Sequence, residues 1–263
     1  MKDTTIRRPI EWIYSADTDV GTVRTENEDA ILAKPEIGFW VVADGMGGHE
    51  AGSVASHMII ESLADMQKPA FMNDYVSEIE KRINDVNHRL LEYSEIMLDG
   101  RLVGSTFIVF AIYDQIGICM WMGDSRLYLY RANELTQLSV DHSQVAELLQ
   151  SGAITEKEAE CHPDANIITR AVGTSNEIFI DIDIFNVQLG DVFLLCSDGL
   201  YAALDKNQIE NNLQGKEPDE IIKGLFGSAL KNGAPDNISA IAIKGIREYS
   251  QKNIPDDMAV TNG

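Results

Sequence analysis

Positive charge is scarce in this 263-residue chain: 21 lysines and arginines stand against 42 aspartates and glutamates, a net charge of −21. A nucleic-acid groove or an anionic-membrane surface needs the opposite balance, because phosphate would be repelled, so neither partner is expected. Cysteine is sparse too. Cys119, Cys161 and Cys196 lie in unrelated contexts with no C-x-x-C pair, which excludes a disulfide framework and a thiolate zinc site and suits a reducing compartment. No apolar stretch approaches the ~20 residues of a membrane span, and Met1 to Pro9 is polar and basic with no hydrophobic run behind it. These absences lead to the expectation of a soluble, cytoplasmic monomer.

What is present is enough apolar material, 44% of residues, to bury the core of one large domain. Its organising stretch is Val41-Val42-Ala43-Asp44-Gly45-Met46-Gly47-Gly48-His49, in which a β-type run ends on a carboxylate followed by glycines that let the backbone turn sharply. Ala51, Val54, Ala55, Met58, Ile59, Leu63 and Met66 then recur at helical steps. A second strand-end Asp-Gly, Asp198-Gly199, follows Phe193 to Ser197. Asp-Gly alone is a common turn dipeptide. Further acids at strand ends, in Glu28-Asp29, Asp124 and Asp236-Asn237, argue for convergence on one site.

In chain order, the patterning predicts strands at Trp12 to Ala16, Ala30 to Ala33 and Phe39 to Ala43, the last two a hairpin turned at Pro35 to Gly38. Helices follow at about Glu50 to Met66 and Tyr75 to Met97. Thr106 to Tyr113, Ile116 to Met122, Leu127 to Tyr130 and Glu134 to Leu138 read as one antiparallel meander. Residues 142 to 166 read as a partly helical, mobile flap, followed by β-type texture at Ile167 to Val172 and Phe179 to Ile184. A strand at Asp191 to Cys196, helical pieces at Leu200 to Leu204 and Ile209 to Leu213, a helix from Asp219 to Lys231 capped by Gly233 and a strand from Ile238 to Ile246 complete the chain. The class is α+β with antiparallel sheets. The domain spans 9–247, and 248–263 is expected to be a loose C-terminal tail.

Asp44, Asp198 and Asp236, hard oxygen donors with no accompanying histidine or cysteine, suit Mg2+ or Mn2+ better than zinc. His49-Glu50 opens no zinc-protease helix, since Ser53 stands where a second histidine is needed. Two ions sharing a bridging carboxylate would hold a hydroxide for in-line attack on phosphorus. Arg24, four residues before Glu28, is the candidate phosphate grip, because guanidinium can bond two oxygens at once. A cysteine phosphatase needs an arginine six positions after its thiolate. Ser125, Ile167 and Ala202 occupy those positions here, so the cysteines read as small core residues. His57 and His88 read as solvated or capping, and His142 as a turn or cap residue.

The ordered series Arg24-x-x-Asn27-Glu28-Asp29, Val42 to Gly48, Gly104-Ser105-Thr106, Gly123 to Arg126, Thr169 to Gly173, Ser197-Asp198-Gly199 and Asp236-Asn237 resembles the bacterial form of the protein phosphatase 2C family, from about Trp12 to Ile246. The resemblance implies a four-layer sandwich, two antiparallel β-sheets flanked by pairs of α-helices, and metal-dependent hydrolysis of phosphoserine and phosphothreonine in proteins opposite a Ser/Thr kinase. It implies that Asp44 bridges two tightly bound ions and that Gly45 ligates through its carbonyl. Asp198 and Asp236 complete the first ion, Glu28 reaches the second through water, with Asp29 beside it, and Asp124 serves a third, weaker ion. Arg24, His49 and Asn237 are the implied substrate contacts. Met46 stands where many eukaryotic members place a histidine, which leaves the general acid to His49 or a bound water. The Pro35 to Trp40 segment and the Gly-Gly-His-Glu-Ala-Gly turn are similar to phosphatases associated with type VI secretion. The alternative from a different class is a catalytically inactive adaptor that binds phosphoproteins.

Overall fold

Residues 10–48, 51–159, 162–164 and 167–247 are described by the structure, a computed structural model. The chain runs through β1 (Ile10–Asp19), β2 (Asp29–Lys34), a 3-10 turn (Pro35–Ile37), β3 (Phe39–Met46), α1 (Ala51–Leu63) and α2 (Met72–Met97). It continues through β4 (Gly104–Ser105), β5 (Phe107–Tyr113), β6 (Ile116–Met122), β7 (Arg126–Arg131), β8 (Glu134–Gln137), α3 (Gln144–Gln150) and α4 (Glu156–Ala159). The last third holds β9 (Asp181–Asn186), β10 (Val192–Cys196), α5 (Asp198–Ala203), α6 (Lys206–Leu213), α7 (Pro218–Lys231) and β11 (Ile238–Arg247).

Two sheets result, ordered β1-β11-β10-β7-β8 and β2-β3-β5-β6-β9, with β4 added beside β3. Every pair is antiparallel. The two-residue side-chain period of β3 decides its packing. Trp40 and Val42 point into the core between the sheets with Phe110, Phe193 and Ile241. Val41 and Ala43 point the other way, onto Ile59 of α1 and Ile83 of α2. The second sheet repeats this arrangement, with Leu194 and Cys196 packed on α5, α6 and α7 through Leu200, Leu213 and Leu225. Both faces of each sheet are therefore covered, and the four-layer expectation holds.

Three expectations need correction. The strands between Phe107 and Gln137 are not one meander, because β5 and β6 belong to one sheet while β7 and β8 belong to the other. The crossing occurs at Gly123, where φ is +109° and a Cβ would lie 2.5 Å from the Thr106 side chain, so only glycine fits. Ile167 to Val172 is no strand. Its β-type pairing is limited to isolated bridges, Val172 to Ser105 of β4 and Ile168 to Ser143 at the start of α3. The strand expected at Phe179 to Ile184 runs from Asp181 to Asn186, in register with Ile116 to Trp121. The expected tail at 248–263 lies outside the described residues, as do His49, Glu50 and Cys161.

Candidate metal centre

The acids gather because strand ends from both sheets meet at one edge of the sandwich. Asp29 and Asp44 are cross-strand partners at the end of the β2–β3 ladder. Asp198 is the first residue of α5, directly after β10 and Ser197, and Asp236 precedes β11, the neighbour of β10. Asp124 lies at the crossing between β6 and β7. Two glycines make the close approach possible. A Cβ on Gly45 would lie 2.0 Å from the Gly52 carbonyl oxygen, and one on Gly199 would lie 1.9 Å from that of Asn237.

Burial and mutual repulsion dominate the electrostatics. The Asp44 carboxyl is pushed well above the usual range by burial, then by the charges of Asp29, Asp198 and Asp124. Burial, then Asp236 and Asp29, carry Asp198 up to about 6, although its hydrogen bond with Asp44 works the other way. Burial lifts Asp29 to about 6 as well, against the Ser197 hydroxyl that donates to its Oδ2 at 2.7 Å. Asp124 rises to about 7, chiefly by burial, then by Asp198 and Asp141. Glu28 is raised by burial, with Arg24 opposing, and its Oε1 is fully buried yet accepts no hydrogen bond of normal geometry.

Among the described residues, positive charge is nearly absent from this edge. Arg24 reaches Asp236 Oδ2 at 2.7 Å and is half exposed at 51%. Arg126, two residues from Asp124, is directed instead at Asp141, Nη2 to Oδ2 at 2.6 Å. Among the described residues, no three histidine, cysteine, aspartate or glutamate side chains are grouped to hold an ion by themselves. The donor set nevertheless fits hard divalent cations, since buried carboxylates that repel one another and an orphaned Glu28 oxygen lack a counter-charge, and such ions complete their shells with backbone carbonyls and water.

Asn237 is placed differently from its expected substrate role. Its Oδ1 accepts the Glu28 N–H at 2.8 Å, and its Nδ2 donates to the carbonyls of Val20 at 3.0 Å and Glu26 at 2.9 Å. Both ends of the amide are occupied, so Asn237 pins the Arg24 to Glu28 loop to the edge instead. His142 is no cap either. Its ring is buried against Trp121, with Nδ1 accepting the Gly123 N–H at 3.1 Å and Nε2 3.2 Å from Asp181 Oδ2, while Ser143 caps α3. The sequence pattern carries no sign that Ser197 bonds Asp29 or that Tyr201 belongs to the site. Tyr201 stands one helical turn after Asp198, yet nothing in the sequence says that this turn faces Asp124.

Cys119 and Cys196 are fully buried, and burial pushes the Cys196 thiol up to about 12 and Cys119 well above its ordinary value. Neither supplies a thiolate at neutral pH. Changing both to alanine is expected to lower stability by about 1–3 kcal/mol while leaving turnover per folded molecule unchanged. Loss of turnover at full folding, checked by circular dichroism beside the assay, would point to a thiol nucleophile.

Residues 22–239 match the protein phosphatase 2C family. The chain belongs to that family. It is 35% identical over 243 residues to the serine/threonine phosphatase stp of Listeria monocytogenes, covering 89% of this chain and 96% of that one. Among solved structures, PppA, a key regulatory component of T6SS in Pseudomonas aeruginosa, is 37% identical with a TM-score of 0.83, covering 91% of this chain and 100% of that one. The catalytic domain of the phosphatase PstP in complex with two manganese ions is 32% identical with a TM-score of 0.81, covering 90% and 99%. The four-layer architecture is thus shared with 2C phosphatases of known structure.

Proposed function

We propose that the acidic edge is a two-ion phosphatase centre through which this chain hydrolyses phosphoserine and phosphothreonine in proteins. The chain is a serine/threonine protein phosphatase of the 2C family, and the inactive-adaptor alternative is not favoured. The observation that carries the residue assignment is the contact between the half-buried Asp44 and Asp198, two carboxylates in hydrogen-bond reach of each other, with Arg24 the nearby counter-charge among the described residues.

In this reading Asp44, Asp198 and Asp236, together with Glu28 and the Gly45 carbonyl, would hold the two ions, Asp44 being the residue that would be shared between them. Asp29 sits behind Asp44, held by Ser197, and keeps that carboxylate aimed at the edge. Ions bound there, Mn2+ or Mg2+, would supply Lewis-acid activation of water and neutralise the phosphate. Asp124 would serve a third, weaker ion. Arg24 leaves Asp236 to grip the phosphate dianion, for which its exposure leaves room. The deciding experiment is hydrolysis of a generic aryl phosphate and of phosphoserine and phosphothreonine peptides with Mn2+, then with chelator. Full turnover in chelator would end the two-ion reading.

Arg24 carries its own expectation. Arg24→Ala should lower kcat/KM by about tenfold or more, and Arg24→Lys should not restore it, because an ammonium cannot make paired hydrogen bonds. Unchanged kinetics in both would leave Arg24 a surface charge.

The likeness to PppA supports a further assignment, to type VI secretion; an opposing Ser/Thr kinase and a cytoplasmic, monomeric state belong to the same proposal. Phosphoproteomics with an inactive variant tests it, the expected signal being accumulation of phosphothreonine and phosphoserine on secretion components. The domain extends over 9–247 in this reading. Among the described residues no helix is long and apolar enough to cross a membrane.

A further inference from the structure

We propose that Tyr201 is the positioning residue for Asp124 and thereby sets the affinity of the weaker ion, an inference that rests on the reading of Asp124 given above. The geometry begins with α5. Because this helix starts at Asp198, Tyr201 lies one turn on and reaches across to the β6–β7 crossing. Its hydroxyl is 3.1 Å from Asp124 Oδ2 and 3.0 Å from the Asp124 carbonyl oxygen. The phenol has one proton, so it serves these two acceptors of a single residue and ties both the backbone and the carboxylate of Asp124 to the helix that carries Asp198.

The nearest cation in sequence does not take this role. Arg126 stacks its guanidinium on the Tyr201 ring, Cζ 3.4 Å from the centroid. Its nitrogens are bonded to Asp141, with Nε 3.1 Å from both carboxylate oxygens and Nη2 2.6 Å from Oδ2, and to the Tyr128 hydroxyl at 2.8 Å. Asp124 is therefore oriented by a neutral donor, and no paired side-chain cation competes for its carboxylate when an ion binds. Had Arg126 paired with it, that charge would be cancelled. The stacked guanidinium also holds the ring in place, so the hydroxyl arrives already oriented.

Tyr201→Phe isolates the hydroxyl, since phenylalanine keeps the ring beneath Arg126 and loses only the donor. Mn2+ binding is measured by electron paramagnetic resonance of free Mn2+ for wild type, Tyr201→Phe and Asp124→Ala, with melting temperatures and the Mn2+ dependence of turnover alongside. In Tyr201→Phe the two tight sites should remain, and the weaker step should move to about tenfold higher Mn2+, the loss expected for one hydrogen bond to a charged group. The Mn2+ concentration for half activity should rise in parallel. A weaker step unchanged in Tyr201→Phe but lost in Asp124→Ala overturns the role of Tyr201 alone. Loss of the tight sites or of folding in Tyr201→Phe makes the residue structural and also overturns it. A wild type with no weaker step, or one that survives Asp124→Ala, removes the Asp124 reading and the inference with it.

Discussion

Asp44→Asn should reduce turnover by about a thousandfold or more without unfolding the protein. The side chain sits where the β2–β3 ladder ends, in contact with Asp198 and near Asp29 and Asp124, so in the proposed centre no other group would replace its charge toward both ions. Asparagine keeps the shape and halves the oxygen donors. Its effect on the fold should be the reverse of its effect on activity. Removing one of several buried carboxylates that repel one another relieves strain in chelator, so the melting temperature of the variant without ions should equal or exceed that of wild type. The backbone is unaffected, since the Asp44 N–H lies 3.2 Å from the Thr106 hydroxyl and its carbonyl accepts from the Thr106 N–H at 2.8 Å. Activity with Mn2+, activity in chelator and thermal melts distinguish this from misfolding. A variant that retains tenth-level activity, or that loses stability in chelator, contradicts the assignment of Asp44.

Without divalent ions, the protein should lose stability as pH rises from about 4 to about 7. Asp29 and Asp198 titrate near 6 and Asp124 near 7 in the folded chain, whereas unfolded aspartates titrate at about 4. Across that window the folded state holds more protons than the unfolded state. Stability therefore falls with pH, since it rises only where the unfolded state binds more protons. A drop in melting temperature on the order of 5 °C between pH 5 and pH 8 is expected in chelator. Added Mn2+ should reverse it at pH 8 and do little at pH 4.5, where protons already neutralise the cluster. The net charge of −21 produces a trend of the same sign, so the site needs its own control. Asp198→Asn should flatten the profile, while Glu92→Gln, an exposed change on α2, should not. Equal slopes in both variants would assign the effect to overall charge.

Much of this was legible in the chain itself, because local signals are strong where they coincide. The apolar run into Asp44-Gly45 marked a strand end, and helical spacing marked α1 and α2, with Tyr75, Ile79, Ile83, Val86 and Leu90 buried as their steps require. Leu225 and its neighbours on α7 follow the same rule. Strand-end position marks Asp29, Asp44, Asp124, Asp198 and Asp236 in the sequence itself, since carboxylates repeated at the ends of apolar runs are costly unless something uses them. The absence of an arginine six residues after each cysteine left Cys119 and Cys196 to be read as core residues, and both are buried.

Tertiary structure decided what periodicity does not encode. A two-residue period is the same in either sheet, so the division of β5-β6 from β7-β8 at Gly123 depended on contact with Thr106, seventeen residues earlier. An asparagine next to an acid looks the same whether it faces a ligand or the backbone, and only the folded loop showed Asn237 engaged by Val20, Glu26 and Glu28. The pairing of Tyr201 with Asp124, 77 residues apart, and of Arg126 with Asp141 rather than Asp124, follows from which helix packs on which sheet. Composition and local pattern specify each element by its own neighbours in sequence. The partners of a buried polar group are specified by distance in space, and that distance exists only after the sheets have closed on each other.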